Sequence, residues 1–231
     1  MDPGAVLISA TLLGLTATLG IFVVADYVSW ASDRHPLAHP VLTATPILIV
    51  LLLATGTPYA SYAASTCTLT FLLGPATVSL AIPIWRNRAI VRAALVPLLS
   101  ALVAGGLTAV ATVVGVAWSL GVPPDVLASL APRSVTTPVA IEIAQGLGGS
   151  GSLATAAVLS SGVFGAIAYP VLFRLVGSRS SAANGFAAGV SAHGIGAAKA
   201  HQRQDVEGAF ASLGMALNAV FTALFLGASY S

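Results

Sequence analysis

Charge is what this sequence has least of. Asp, Glu, Lys and Arg make up 7% of 231 residues, 57% are hydrophobic, and the mean hydropathy is +0.94. A soluble domain carries about 25% charged residues, so the composition excludes one and points to a bilayer. Nucleic-acid binding is excluded as well, despite a net charge of +2 and a pI near 9.0: the nine Lys and Arg sit in short loops and form no basic face. With one cysteine, Cys67, there is no internal disulfide. Its apolar context predicts a small buried hydrophobe. Four scattered histidines and one cysteine give no convincing metal site. No cofactor is expected.

Other absences narrow the function. Gly146-Leu-Gly-Gly-Ser-Gly151 lacks the Gly-Lys-Ser/Thr ending of a phosphate loop. No nucleophile–base pair argues for an enzyme. Met1-Asp2-Pro3-Gly4 has no basic n-region, so neither a cleaved signal nor a transit peptide is expected ahead of the first apolar run. The expected address is a bacterial inner membrane, crossed several times.

What is present is apolar runs with polar punctuation. They fall at Ala5–Val28, Pro40–Ala54, Ala64–Ile84, Val91–Leu120, Ser134–Gln145, Leu153–Val176, Ala182–Ala200 and Val206–Ala228. Crossing takes about 20 helical residues. The fifth run, at about 18 Å, is too short. Asp125 to Leu130 reads as one interfacial turn. Basic residues gather at Arg34, at Arg86, Arg88 and Arg92, and at Arg174 and Arg179. Placing all three groups in the cytoplasm requires the fifth run to be re-entrant, with Arg133 the exception outside. The expected fold is therefore an all-α polytopic membrane protein of about seven transmembrane helices plus one short re-entrant helix, in a single domain over residues 1–231.

Runs two to four and six to eight share one pattern: a span, a glycine-broken span, a span. Their offset is about 120 residues, which sets Gly74 against Gly194. The expectation is an inverted repeat, residues 37–120 against 150–229, with two broken helices meeting at the midplane as in secondary transporters. Ala104-Gly105-Gly106, Gly162/Gly165/Ala166 and Gly185/Gly189 read as packing positions where backbones approach closely.

The candidate site residues lie at the breaks. Gly74, Pro75, Ala76 and Thr77 interrupt the third run, either as a proline kink or as a half-helix terminus whose amides receive an anion. Ser134 is a plausible N-cap for the fifth run. Thr136 and Thr137 add hydroxyls, Pro138 has no amide, and Glu142 shares the face of Pro138. In the seventh run, Ser191 and His193 precede Gly194 and Gly196, and Lys199 follows. His193 is either an interhelical hydrogen bond or a proton relay. Lys199 either snorkels to an interface, meets an anionic substrate, or pairs with Glu142 or Glu207. Asp205 and Glu207 suit the start of the eighth run. Asn218, at mid-span, bonds either to a neighbouring helix or to substrate.

Three motifs together resemble the LrgB/CidB family: Phe71-Leu-Leu-Gly-Pro-Ala-Thr-Val-Ser-Leu-Ala-Ile-Pro83, Ala131-Pro-Arg-Ser-Val-Thr-Thr-Pro-Val-Ala-Ile-Glu-Ile143 and Ser191-Ala-His-Gly-Ile-Gly-Ala-Ala-Lys-Ala200. The run from Val206 to Met215 looks like the family's continuation, and the likeness covers roughly residues 34–229. The sequence departs from the pattern at Ala197, where Thr is usual, and at Gly151-Ser152. The resemblance implies one of two functions. One is a transporter of small carboxylates: of glycolate or glycerate, as in the plastidal relatives, or of pyruvate, as in bacterial members. The other is an antiholin-like regulator of murein hydrolase export and lysis, acting with a small LrgA/CidA-type membrane protein. Transport is the leading expectation, because a scaffold needs neither an intramembrane Lys199 nor paired helix breaks. A homo-oligomer is also expected.

Overall fold

The computed structural model describes residues 3–32, 38, 40–79 and 81–228. All regular structure among the described residues is helix, with no strand. Two units divide at residues 79/80. The first holds α1 (Pro3–Ala31), α2 (Pro40–Thr55), α3 (Tyr59–Ser65) and α4 (Cys67–Ser79). The second holds α5 (Ala81–Arg86), α6 (Arg88–Ala93), α7 (Leu95–Ser119), α8 (Pro124–Leu130), α9 (Thr137–Gly146), α10 (Gly151–Leu175), α11 (Ser181–His201) and α12 (Asp205–Gly227).

Among the described residues, four helices are long and apolar enough to cross a bilayer: Thr11–Ala31 of α1, then α7, α10 and α12. A fifth follows if α2 and α3, bent by 118°, count as one broken span. Gly56, at φ +62°, makes that bend. Its amide and that of Thr57 close back onto Leu53 and Leu52, an αL helix end that suits a residue without Cβ. In the first unit, Thr18 and Tyr62 share a hydroxyl hydrogen bond of 2.9 Å between α1 and α3. Gly14 leaves room for the Ser65 side chain. Leu13, Val23 and Trp30 point outward from α1, as a lipid-facing helix requires.

The second unit is built around α12. Half of its span window is buried, against 28% for α10 and 17% for α7, so α12 is the central helix there. Phe210, on α12, packs with Leu98, Leu102, Phe186 and Val190. The tightest pairing is between α11 and α12. A Cβ on Gly185 would run into the Glu207 carbonyl, and one on Gly189 into the Ala211 carbonyl. In lipid, this backbone proximity takes the role that hydrophobicity has in water. The α9 helix, ten residues long, is too short to cross. It packs against α10 and α12 through Ala140 and Ala144, which meet Ala154 and Val158.

Several expectations change. The third run is not one span broken at Gly74-Pro75; it divides at Thr66, between α3 and α4. The α4 helix passes through Pro75 without interruption. One missing amide removes one hydrogen bond, which a helix survives if its dihedrals stay helical. The side chains of Gly74, Ala76 and Thr77 lie outside the described set, and so does the loop at 33–37. The fourth run divides at Ala94, with φ −103° and ψ 12° between α6 and α7. Cys67 is exposed rather than buried. The unit boundary falls inside the first expected repeat.

Candidate functional site

The break expected near Gly194 is present, and it lies slightly earlier. Ala192 (φ −127°, ψ 16°) and His193 (φ 39°, ψ −128°) are both non-helical, so α11 is two helices in sequence. His193 is the one non-glycine residue with positive φ among the described residues. Its dihedrals fall near the first central position of a type II′ turn, where glycine is usual. Such strain costs on the order of 1–3 kcal/mol and persists only where surrounding contacts enforce it.

Those contacts are visible. His193 is 4% exposed, and its Nε2 lies 3.0 Å from the Val158 carbonyl of α10. A carbonyl only accepts, so Nε2 carries the proton and donates. Gly162 clears the space: a Cβ there would stand 2.6 Å from the ring. Gly196 closes the second half-helix onto the first, since its Cβ would meet the Ala188 carbonyl at 2.5 Å. Gly194 faces Met215 with ordinary spacing. His193→Gly is expected to be less destabilising than His193→Ala by about 1 kcal/mol, because glycine releases the strain while both lose the hydrogen bond. Denaturant titration in detergent measures this; equal loss in both would remove the strain argument.

Breaking a helix frees carbonyls before the break and amides after it. Val190 lies in the turn before it, and its carbonyl accepts from Asn218 Nδ2 at 3.2 Å. The same nitrogen donates to the Ser134 carbonyl at 3.1 Å and lies 3.3 Å from Ser134 Oγ. Asn218 therefore ties the entry to α9 to the break in α11, and it is wholly buried. Thr222, one turn later, stands 3.5 Å from Asn218 Oδ1.

Ser134 is thus a buried acceptor rather than the N-cap. The cap position is Thr136, with extended backbone (φ −67°, ψ 148°) and no side-chain cap bond. Thr136 and Thr137 are half-buried. The Thr136 carbonyl accepts from the Ala140 amide at 2.9 Å, and Pro138 stands in the first turn without a donor. Glu142 and Pro138 share a face as expected, but that face is exposed. Ser191 is exposed, and its hydroxyl donates to the Ala187 carbonyl at 2.7 Å. Lys199 is half-buried in the last turn of α11 with His201, where cations complement the helix dipole. Glu207 is buried against Arg203, 3.2 Å away. The structure therefore brings together Ser134, Ser191, His193, Gly194, Gly196 and Asn218.

Sequence reasoning overlooked three participants. Val158 supplies the His193 acceptor. Ser161 Oγ donates to the Arg133 carbonyl at 2.7 Å, which pins the turn before α9 to α10. Arg133 itself is half-buried, and its guanidinium makes no hydrogen bond or ion pair among the described residues. Burial alone lowers its pKa from the ordinary guanidinium value. A lone cation between two apolar runs was the available signal.

A polytopic helical membrane protein with a short, half-buried helix set against a broken one is the class these features define. The chain belongs to the LrgB-like family, whose model matches residues 18–230. It is 31% identical over 193 residues to the holin-like protein CidB of Staphylococcus epidermidis, covering 84% of each chain. With YxaC of Bacillus subtilis it shares 34% identity over 209 residues, 89% of this chain and 91% of that one. The holin-like protein CidB of Staphylococcus aureus is 30% identical over 192 residues, covering 83% of this chain and 84% of its own. No solved structure matches.

Proposed function

We propose that this chain is a holin-like membrane protein of CidB type that regulates murein hydrolase export and cell lysis together with a small LrgA/CidA-type partner. The observation that carries this reading is the alignment with holin-like relatives over 84% of both chains, within a family match from residue 18 to 230. The test is expression in a bacterial host lacking its own LrgB- and CidB-type proteins, with and without the partner. Detergent-induced autolysis and extracellular murein hydrolase activity are expected to change when both are present. Unchanged lysis and hydrolase activity in every strain would reject the reading.

A second reading is the passage of small carboxylates such as glycolate, glycerate or pyruvate. It is supported by the break at Ala192 and His193, held against the entry to α9 by Asn218. Irregular backbone at membrane depth is tolerated where it is buried in protein or lines a cavity. In this reading Ser134, Thr136, Thr137, Ser191, His193, Gly194, Gly196, Lys199 and Asn218 form the route within the second unit. The chain then acts as one LrgB-like domain and assembles as a homo-oligomer. Uptake of labelled glycolate, glycerate or pyruvate into proteoliposomes is expected, and it should fall several-fold with His193→Ala. Absence of uptake with and without the partner would exclude this reading.

A further inference from the structure

Three cavities in the second unit share walls. One of about 470 Å³ lies between the end of α7 and the turn before α9, with Leu130 and Arg133 on its side. A second, of about 660 Å³, has the same two residues, then follows α10 past Ser160 and Ser161 to Ser191. A third, of about 720 Å³, takes Ser191 as wall and continues between α7 and α11 to Ser178, Ser180 and Asn184 near the α10–α11 turn. Ser191 is the last helical residue before the break at Ala192. The series thus runs past both the turn before α9 and the break in α11.

Arg133 is the one charged residue lining any of the three. The hydroxyl protons nearby are committed elsewhere: Ser160 to the Ala156 carbonyl, Ser161 to the Arg133 carbonyl and Ser191 to the Ala187 carbonyl, each at 2.7 Å. The guanidinium is therefore the strong donor left in the middle cavity, and its planar fork matches a carboxylate. An unpaired charge in an apolar setting is costly, and a bound counter-anion offsets that cost. The remaining walls, including Leu130, Leu153 and Phe164, are apolar. They hold no second cation for a dianion.

We propose that Arg133 is the anion-binding residue of this route and takes the carboxylate of a small monocarboxylate. The proposal rests on the carboxylate reading above for its substrate class, and it adds the residue that holds the charge. The first experiment uses the purified full-length protein in detergent and an arginine-specific dicarbonyl reagent, with modification of Arg133 followed by peptide mass spectrometry. Propionate is expected to slow that modification several-fold, whereas succinate at equal concentration and phosphatidylglycerol are not. Arg133→Gln is expected to weaken propionate binding by roughly tenfold or more, with Arg133→Lys in between. Modification unaffected by propionate, equal protection by phosphatidylglycerol alone, or undiminished binding by Arg133→Gln would each overturn the proposal. If Arg133→Gln does not fold, protection of the wild-type residue decides. Protection without uptake into proteoliposomes would remove the transport reading and leave the site standing; uptake undiminished in Arg133→Gln would do the reverse.

Discussion

Gly189→Ala is expected to destabilise the second unit by about 3 kcal/mol or more, at the upper end of what one added methyl does in a packed interior. The new Cβ would overlap the Ala211 backbone carbonyl. A backbone atom cannot rotate away as a side chain does, so α11 and α12 must part along their length. Parting them would also loosen Gly185 from Glu207 and Phe186 from Gly214, the neighbouring close approaches of the same hairpin. Because α12 carries Asn218 and α11 carries the break, the site would lose its geometry with the fold. The control is Gly115→Ala on α7, where a Cβ meets nothing within 4 Å. That change is expected to be neutral or to gain up to about 1 kcal/mol from helix propensity. Denaturant titration of the two variants in the same detergent checks the pair. Equal midpoints would show that the hairpin is not held by backbone contact.

Asn218→Leu is expected to cost about 2–3 kcal/mol and to raise hydrogen exchange at the α11 break more than elsewhere. Leucine keeps the volume but donates nothing. The carbonyls of Ser134 and Val190 would then stand buried with that donor lost, at roughly 1–3 kcal/mol each. Interhelical bonds in membranes average nearer 0.6 kcal/mol, because the unfolded chain also finds partners, so the low end of the sum applies. The exchange readout separates this role from general packing. A substitution that only loosened the core would raise exchange throughout α12 instead. A wild-type exchange pattern around Ala192 and His193 would mean that the break is held by other contacts.

Much of the fold is legible in composition and punctuation. The boundaries read from the sequence for α1, α2, α10, α11 and α12 fall within a few residues of the observed ones. Runs of apolar residues bounded by Pro, Gly and charge carry that information directly. The short α9 is legible for the same reason, since its length alone excludes a crossing. The family is legible in three motifs, and the match over residues 18–230 bears it out.

The misreadings have a common cause. Gly74-Pro75 and Ala192-His193 both carry local signals for a break, and only the second breaks. Proline removes a single donor, which a helix absorbs. Two consecutive non-helical residues require external support, and His193 has it from the Val158 carbonyl and the gap at Gly162. Nothing local to residues 191–200 reveals a partner 35 residues away. Ser134 is a buried acceptor rather than the N-cap, and Glu142 is exposed, on the same grounds. Which face of α9 is buried depends on Ala154 and Val158 across the interface.

The sequence by itself determined that this chain lives in a membrane, where α1, α2, α10, α11 and α12 begin and end, and which family it belongs to. These follow from transfer free energy and local backbone chemistry, which each residue carries wherever the chain goes. Only the tertiary structure decided which glycine-rich segment breaks, that Asn218 joins the break to α9, and that Arg133 lines two adjoining cavities with no side-chain partner among the described residues. Those outcomes depend on which carbonyls and side chains from distant segments come within hydrogen-bonding distance, and packing alone determines that.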